Sequence, residues 1–183
     1  MRDGADGIEL SPGQIDAIGR RTGTKAGIPR DTQWRRRAER ESIVEAARAE
    51  AKSRSADPEW VAGVMLYWGE GFKTENALGL ANSDADLMRF LMRWSQRHLD
   101  ARMEFRAKLN LHAGNDEATA IIYWAEALSI PTERFNKTFI KPEGTGHRRN
   151  HLEHGVIQVR ARRSTDHFLR AMGWIEGLRG GWM

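Results

Sequence analysis

The sequence predicts an α/β fold, α+β in its layering, with a mixed antiparallel sheet and helices on one face of it. Two alternating runs and the helical periods around them lead there. From Arg102 to His112, Met103, Phe105, Ala107, Leu109 and Leu111 alternate strictly with Arg102, Glu104, Arg106, Lys108, Asn110 and His112. That is the period of a strand with one apolar and one wet face. From Val156 to Arg163 the alternation returns, with Ile157, Val159 and Ala161 inward and Gln158, Arg160 and Arg162 outward. Between these runs apolar residues recur at three- and four-residue steps, so helices and strands interleave along the chain.

Residues 1–56 read as an N-terminal arm. Residues 1–31 hold no sustained period; Ser11 and Pro12 can open a short helix, and Gly23, Gly27 and Pro29 argue for loop. Residues 33–56 lack Gly and Pro and form a charged helix. Its apolar content is mostly alanine, so it needs another surface, protein or DNA, to lie against. Residues 57–183 read as the main domain. Asp57 caps a helix whose first turn holds Pro58. The run Trp60 to Gly69 is then apolar or small all the way round, which demands cover on at least two sides. Gly63 and Gly69 leave room for a second helix, and in a chain this size the simplest second cover is the same helix of a partner subunit.

A short strand follows at Ala77–Asn82, with Leu78 and Leu80 on one side. Asn82 or Ser83 caps a helix carrying Leu87, Phe90, Leu91 and Trp94. After the long alternating strand, helix 116–128 places Ala118, Ile121, Ile122, Ala125 and Leu128 on one face. Thr138 to Ile140 reads as a short strand and Gly144 to Asn150 as a basic loop. The last helix buries Phe168, Leu169, Met172, Ile175 and Leu178, and Trp124 is expected either in the core or facing a partner or the arm.

Charge is distributed unevenly. Residues 1–133 hold 19 Lys/Arg against 21 Asp/Glu, whereas residues 134–170 hold 9 against 3 and four of the six histidines. A basic zone on a neutral body points to a polyanion. The outward side chains of the two alternating strands are Arg, Lys, Asn, Gln and His, the types that read base edges, and a two-stranded ribbon fits the major groove. Duplex DNA is the expected partner. The absence of cysteine excludes disulfides, a thiol nucleophile and Cys-based metal sites. The ten-position apolar run is about half of a bilayer crossing. With no signal peptide either, the expected address is the cytoplasm, on the nucleoid, with no membrane partner.

Ala62 to Gly71 reads Ala-Gly-Val-Met-Leu-Tyr-Trp-Gly-Glu-Gly, followed by Lys73 and by Asn82-Ser-Asp84. This combination resembles the LAGLIDADG homing-endonuclease family, in its single-motif branch where the helix ends in Gly-Glu-Gly, over roughly residues 57–178. Met65 departs from the family pattern, which often has glycine there. The resemblance implies two motif helices packed together, sheets forming a saddle over the major groove, and one carboxylate per motif near the twofold axis. With one motif the chain is expected to act as a homodimer on a partly palindromic site, with Gly63, Leu66, Tyr67 and Gly69 at the interface. Glu70 would be the catalytic and metal-holding acid, for Mg²⁺ or Mn²⁺. Lys141 and Lys137 match the family's assisting lysine in place only loosely, with Lys73 and Lys108 as rivals. Lys73, Arg102, Arg106, Lys108, Asn110, His112, Arg148, Arg149, Gln158, Arg160 and Arg162 would contact DNA. The branch often carries a helix-turn-helix ahead of the region that Ile8 to Ile28 resembles; this chain is expected to lack it, as a phage or mobile-element relative would.

Relatives of this fold that bind DNA without cutting it form the second expectation, a regulator on the same scaffold. Glu70 then becomes a helix-end cap or an ion-pair partner. A metal site on His147, His151 and His154 is disfavoured, because His151-Leu-Glu-His154 is too short for a His-Glu-x-x-His helix and no ββα frame surrounds it. No phosphate-binding glycine loop, dinucleotide fingerprint or serine elbow is present.

Overall fold

The computed structural model describes residues 11–14, 30–142 and 152–181. In chain order the elements are α1 (Arg30–Arg54), α2 (Pro58–Glu70), β1 (Gly79–Asn82), α3 (Ala85–His98), β2 (Phe105–His112), α4 (Glu117–Leu128), a 3₁₀ turn (Thr132–Arg134), β3 (Phe135–Lys141), β4 (Val156–Ala161) and α5 (Thr165–Gly180). The fold is α+β with a four-stranded mixed sheet. Two compact units divide at Glu41/Ser42, inside α1 rather than after residue 56. The reason is local to the larger unit: Ala47 and Ala51 of α1 are buried there. A Cβ at Gly173 or Gly177 of α5 would meet the Ala47 or Ala51 methyl and the α1 backbone, so two helices cross here at alanine–glycine distance. In the smaller unit, Ser11 Oγ accepts from Gln14 N at 3.4 Å while Gln14 Oε1 accepts from Ser11 N at 2.8 Å, a reciprocal cap on Pro12–Gln14.

Asp57 caps α2 as expected, accepting from Glu59 N at 3.0 Å and Trp60 N at 3.1 Å. The helix buries Trp60, Gly63, Val64 and Tyr67. The α3 indole of Trp94 lies over Gly63, so close that a Cβ there would overlap the ring. Its Nε1 donates to Trp60 O at 3.2 Å, which holds the ring in place. Trp174 of α5 completes the cluster, edge-on to Trp60 and Trp94 at centroid distances of 5.4 and 5.9 Å. The Arg54 guanidinium sits over Trp60 and Trp174, 5.4 and 5.1 Å from the ring centres, and donates to His98 Nδ1 at 2.7 Å. Glu50 gathers Trp174 Nε1 at 3.0 Å, Arg170 at 2.9 Å and Arg54 at 3.1 Å. Burial alone would raise the Glu50 carboxyl; the bonds from Trp174, Arg170 and Arg54 outweigh it and hold it below the usual range.

The sheet order is β1-β4-β2-β3. β4 runs antiparallel to both β1 and β2, and β3 runs parallel to β2. Leu78, Leu80, Phe105, Ala107, Leu109, Leu111, Ile157, Val159 and Ala161 are buried, and the opposite side chains of β2 and β4 are exposed or half-buried. β2 starts at Phe105 rather than Arg102, because Asp100 Oδ1 accepts from Arg102 N at 2.9 Å and folds residues 100–103 into a turn. Asp84, not Asn82 or Ser83, is the cap of α3; Asn82 Oδ1 instead accepts from the Ser83 and Asp84 amides, one turn upstream.

Two helix faces are rotated from their expected positions. α3 buries Met88, Leu91, Met92, Trp94, Ser95 and His98, leaving Leu87 and Phe90 half-buried. α4 buries Ala120, Trp124 and Leu128, while Ala118 is exposed and Ile122 is 56% exposed. The Trp124 indole turns that face inward by donating to His154 O at 2.8 Å. Trp124 is therefore a core residue. The strand expected at Thr138–Ile140 is longer, Phe135–Lys141.

Gly63→Ala drives a methyl into Trp94, and overpacking of this kind costs about 1–3 kcal/mol. Thermal unfolding followed by circular dichroism should show a midpoint lowered by several degrees.

Candidate nucleic-acid interface

The uncovered face of the sheet is assembled row by row. Arg106 pairs across with Arg160, and Arg160 with Gly79. Phe72 extends the same row, since its N–H donates to Gly79 O at 2.9 Å. The next row holds Ala81, Gln158, Lys108 and Asn136. Asn110 faces Phe139, and His112 faces Lys141. The strands lie about 4.8 Å apart, so Arg106, Lys108, Asn110, His112, Gln158 and Arg160 form one continuous patch. The sequence alternation brings these six together as expected.

Several members are held in place. Arg160 is paired with Glu75, and its guanidinium lies over the Phe72 ring, 5.1 Å from the centroid. Lys108 Nζ is 5.8 Å from the centre of the Phe139 ring, which is 48% exposed. The side chains of Arg106, exposed, and Asn110, half-buried, make no ion pair or hydrogen bond within the described residues. Small residues at Gly79 and Ala81 leave the β1 side of the face low.

Not every expected residue joins the patch. Arg162 follows β4 and donates to Glu104 Oε2 at 2.9 Å, while Arg134 takes Glu104 Oε1 at 2.8 Å. Both arginines, Arg134 first, hold the Glu104 carboxyl below its usual range. Arg102 lies in the turn before β2 and lines a polar cleft with Asp100, Glu104, Arg162, Arg163 and His167. Arg148 and Arg149, with His147 and His151, lie outside the described residues. The fourth histidine of that region, His154, is stacked on Tyr123 with ring centroids 3.9 Å apart.

The end of α2 is anchored at the β1 edge. Gly71 forms a bridge with Leu80, and a Cβ on Gly71 would strike the Tyr67 ring. Tyr67 Oη donates to Phe72 O at 2.7 Å, and burial pushes this hydroxyl far up from its ordinary value. Tyr67 and Gly63 are therefore committed inside the chain, to Phe72 and Trp94, rather than to a second helix. Leu66 is half-buried, and Gly69 is exposed with open space where a Cβ would stand. What α2 leaves bare is a stripe of Ala62, Met65 and Gly69, flanked by half-buried Val61, Leu66 and Trp68. Glu70 ends that stripe and is exposed.

Lys73 lies near this carboxylate. It donates to Gly69 O at 3.4 Å; partial burial lowers its ammonium and the Glu70 charge acts against that shift. Lys137 and Lys141 lie on β3, the opposite edge of the sheet from β1, three strand spacings away or about 14 Å. Within one chain the fold therefore unites Glu70 with Lys73 and leaves Lys137 and Lys141 apart. Glu70 is a single carboxylate, and among the described residues there is no group of three His, Asp or Glu that could hold a metal ion alone. A Mg²⁺ ion held by one or two carboxylates plus phosphate oxygens and water fits such a donor set only if a second carboxylate or a phosphate joins it.

The sequence reading missed four members of the face: Phe72, Glu75, Asn136 and Phe139. Asn136 and Phe139 escape a two-residue period because the β2–β3 register shifts between Lys108 and Asn110. Phe72 and Glu75 lie in the loop after α2, and no periodicity marks them. No helix among the described residues is long and apolar enough to cross a membrane.

Replacing both Arg106 and Asn110 by alanine should alter stability by less than about 0.5 kcal/mol, the range of surface positions without partners. Chemical denaturation measures this, and a neutral result shows that these side chains are free to serve another molecule.

Comparison with known families, curated proteins and solved structures finds no match to this chain.

Proposed function

We propose that the chain is a site-specific, duplex-DNA endonuclease resembling the LAGLIDADG family and acting as a homodimer. One observation carries the reading: the bare stripe of α2 ends in Glu70 at the same sheet edge where the uncovered basic face begins. Packing that stripe against its copy covers Ala62, Met65 and Gly69 and sets two Glu70 carboxylates beside each other. The two basic faces then lie side by side along one duplex. Arg106 and Lys108 supply cations for phosphates, with the counterion release that drives such binding. Asn110, Gln158 and Arg160 supply donor and acceptor pairs for base edges.

The Glu70 pair would hold a Mg²⁺ or Mn²⁺ ion, which when bound polarises the scissile phosphate and activates a water. Lys73, beside Glu70, is placed to offset negative charge on that phosphate. This assigns the assisting role to Lys73 ahead of Lys137 and Lys141. Arg102 and Arg162, off the patch, serve as flanking phosphate contacts at most.

A second reading, a DNA-binding regulator that does not cut, has its own support. The Glu70 charge acts on the Lys73 ammonium within one chain, so the carboxylate has a nearby cation without any metal. Glu70→Gln separates the two. On a randomised duplex library, with Mg²⁺, Mn²⁺ or EDTA, a nuclease should cut in a metal-dependent way, and the variant should lose cleavage while retaining duplex. Retention with no cut under any metal supports the regulator, and neither retention nor cleavage sinks both.

A further inference from the structure

We propose that the N-terminal half of α1 is a second DNA contact, a sequence-independent clamp on the phosphate backbone. The inference rests on the duplex-DNA reading above and adds a surface that neither the sheet face nor Glu70 includes. From Gln33 to Ser42 every residue of α1 is exposed. Successive residues of a helix are 100° apart, so Gln33, Arg36, Arg37 and Arg40 share one face of about 100°. Glu39 flanks that face, about 60° round the helix from Arg36. Arg36 and Arg40 make no ion pair within the described residues, and Arg37 is tied only to Glu41, at 2.8 Å with both side chains more than 60% exposed. An exposed pair of this kind is weak and readily exchanged for a stronger anion.

A helix that is polar on every side is not stable by its own packing and needs a partner or many such pairs. This stretch has a surplus of cations on one face, and Trp34 beside it is 64% exposed. The charge selects a polyanion. The face runs about 10 Å from Gln33 to Arg40, and a duplex carries one phosphate charge per ~1.7 Å of axis, so two or more arginines meet phosphates at once. A flat apolar partner would leave these guanidiniums desolvated and unpaired. Trp34, one turn from Arg37, lies against the sugar edge of the same backbone.

The test uses the full chain and a labelled duplex of mixed sequence, with binding read by fluorescence anisotropy over a series of NaCl concentrations. Arg36→Gln with Arg40→Gln removes two cations while keeping good helix formers. Each phosphate contact contributes about 0.9 to the slope of log K against log salt. The double variant should therefore lose about 1.8 from the slope and bind at least tenfold more weakly at low salt. The Arg36→Lys, Arg40→Lys chain should keep the wild-type slope, which rules out a mere change in helix content. The emission that Trp34→Phe removes should also respond to duplex. An unchanged slope and affinity in the double Gln variant, with the wild type still bound, overturns the clamp and leaves the sheet reading intact. If that variant instead loses binding only to vesicles rich in phosphatidylserine, the face belongs to a membrane and the clamp is likewise refuted. A wild type that binds no duplex at any salt removes both the clamp and the reading on which it rests.

Discussion

The indole of Trp94 lying on Gly63 sets the rest of the domain. Its hydrogen bond to Trp60 O fixes the crossing of α2 and α3, and no side chain larger than hydrogen fits beneath it. Once that crossing is fixed, Trp60, Val64 and Tyr67 point inward and Ala62, Met65 and Gly69 point out. Trp174 closes the cluster from α5, and Arg54 over two of its rings ties α1 to the same point. Cation–π contacts of this partly desolvated kind are worth about 1–2 kcal/mol each. His98, buried and next to the Arg54 cation, is held below the usual imidazole range and accepts through Nδ1 as a neutral ring. The aromatic cluster therefore does two jobs: it anchors the core, and it decides which side of α2 is left for something else.

The far end of α2 transmits that decision to the sheet. Tyr67 donates to Phe72 O, Gly71 passes under its ring, and Phe72 joins the ladder beside Gly79. Glu70 thus cannot drift away from the β1 edge without breaking a half-buried hydrogen bond, a loss of about 1 kcal/mol. Across the sheet, the same ladder sets Arg160 on Phe72 and aligns it with Arg106. The acid and the basic face are parts of one rigid arrangement, which is why the functional reading joins them.

Much of this was legible in the sequence, and the failures have local causes. Asp57-Pro58 and the Gly-Glu-Gly ending framed α2 to the residue, because capping and breaking are short-range chemistry. The alternation in β2 and β4 found the polar patch, because one buried face enforces a period of two. The inward turn of Trp124 depends on the carbonyl of His154, thirty residues away, and no local pattern reports it. Gly63 was read as space for a second copy when a neighbour in the same chain fills it; glycine signals a close approach, and the sequence does not say whose. Asn136 and Phe139 were hidden by a register shift that exists only once β3 pairs with β2. Lys73 was recognised as one candidate among four lysines, and only folding separates it from Lys137 and Lys141.

The most direct test of the dimeric saddle uses the absence of cysteine from the chain. Single cysteines at Ala62, Met65 and Gly69 would be oxidised with duplex DNA present, beside Ala118→Cys on the exposed face of α4 as control. A disulfide forms only where Cα atoms come within about 4.4–6.8 Å. Two α2 helices packed along their bare stripes give a covalent dimer from at least one stripe position and none from the control. Monomer at all three positions, or equal cross-linking at Ala118, contradicts the seam and with it the pairing of the two Glu70 carboxylates.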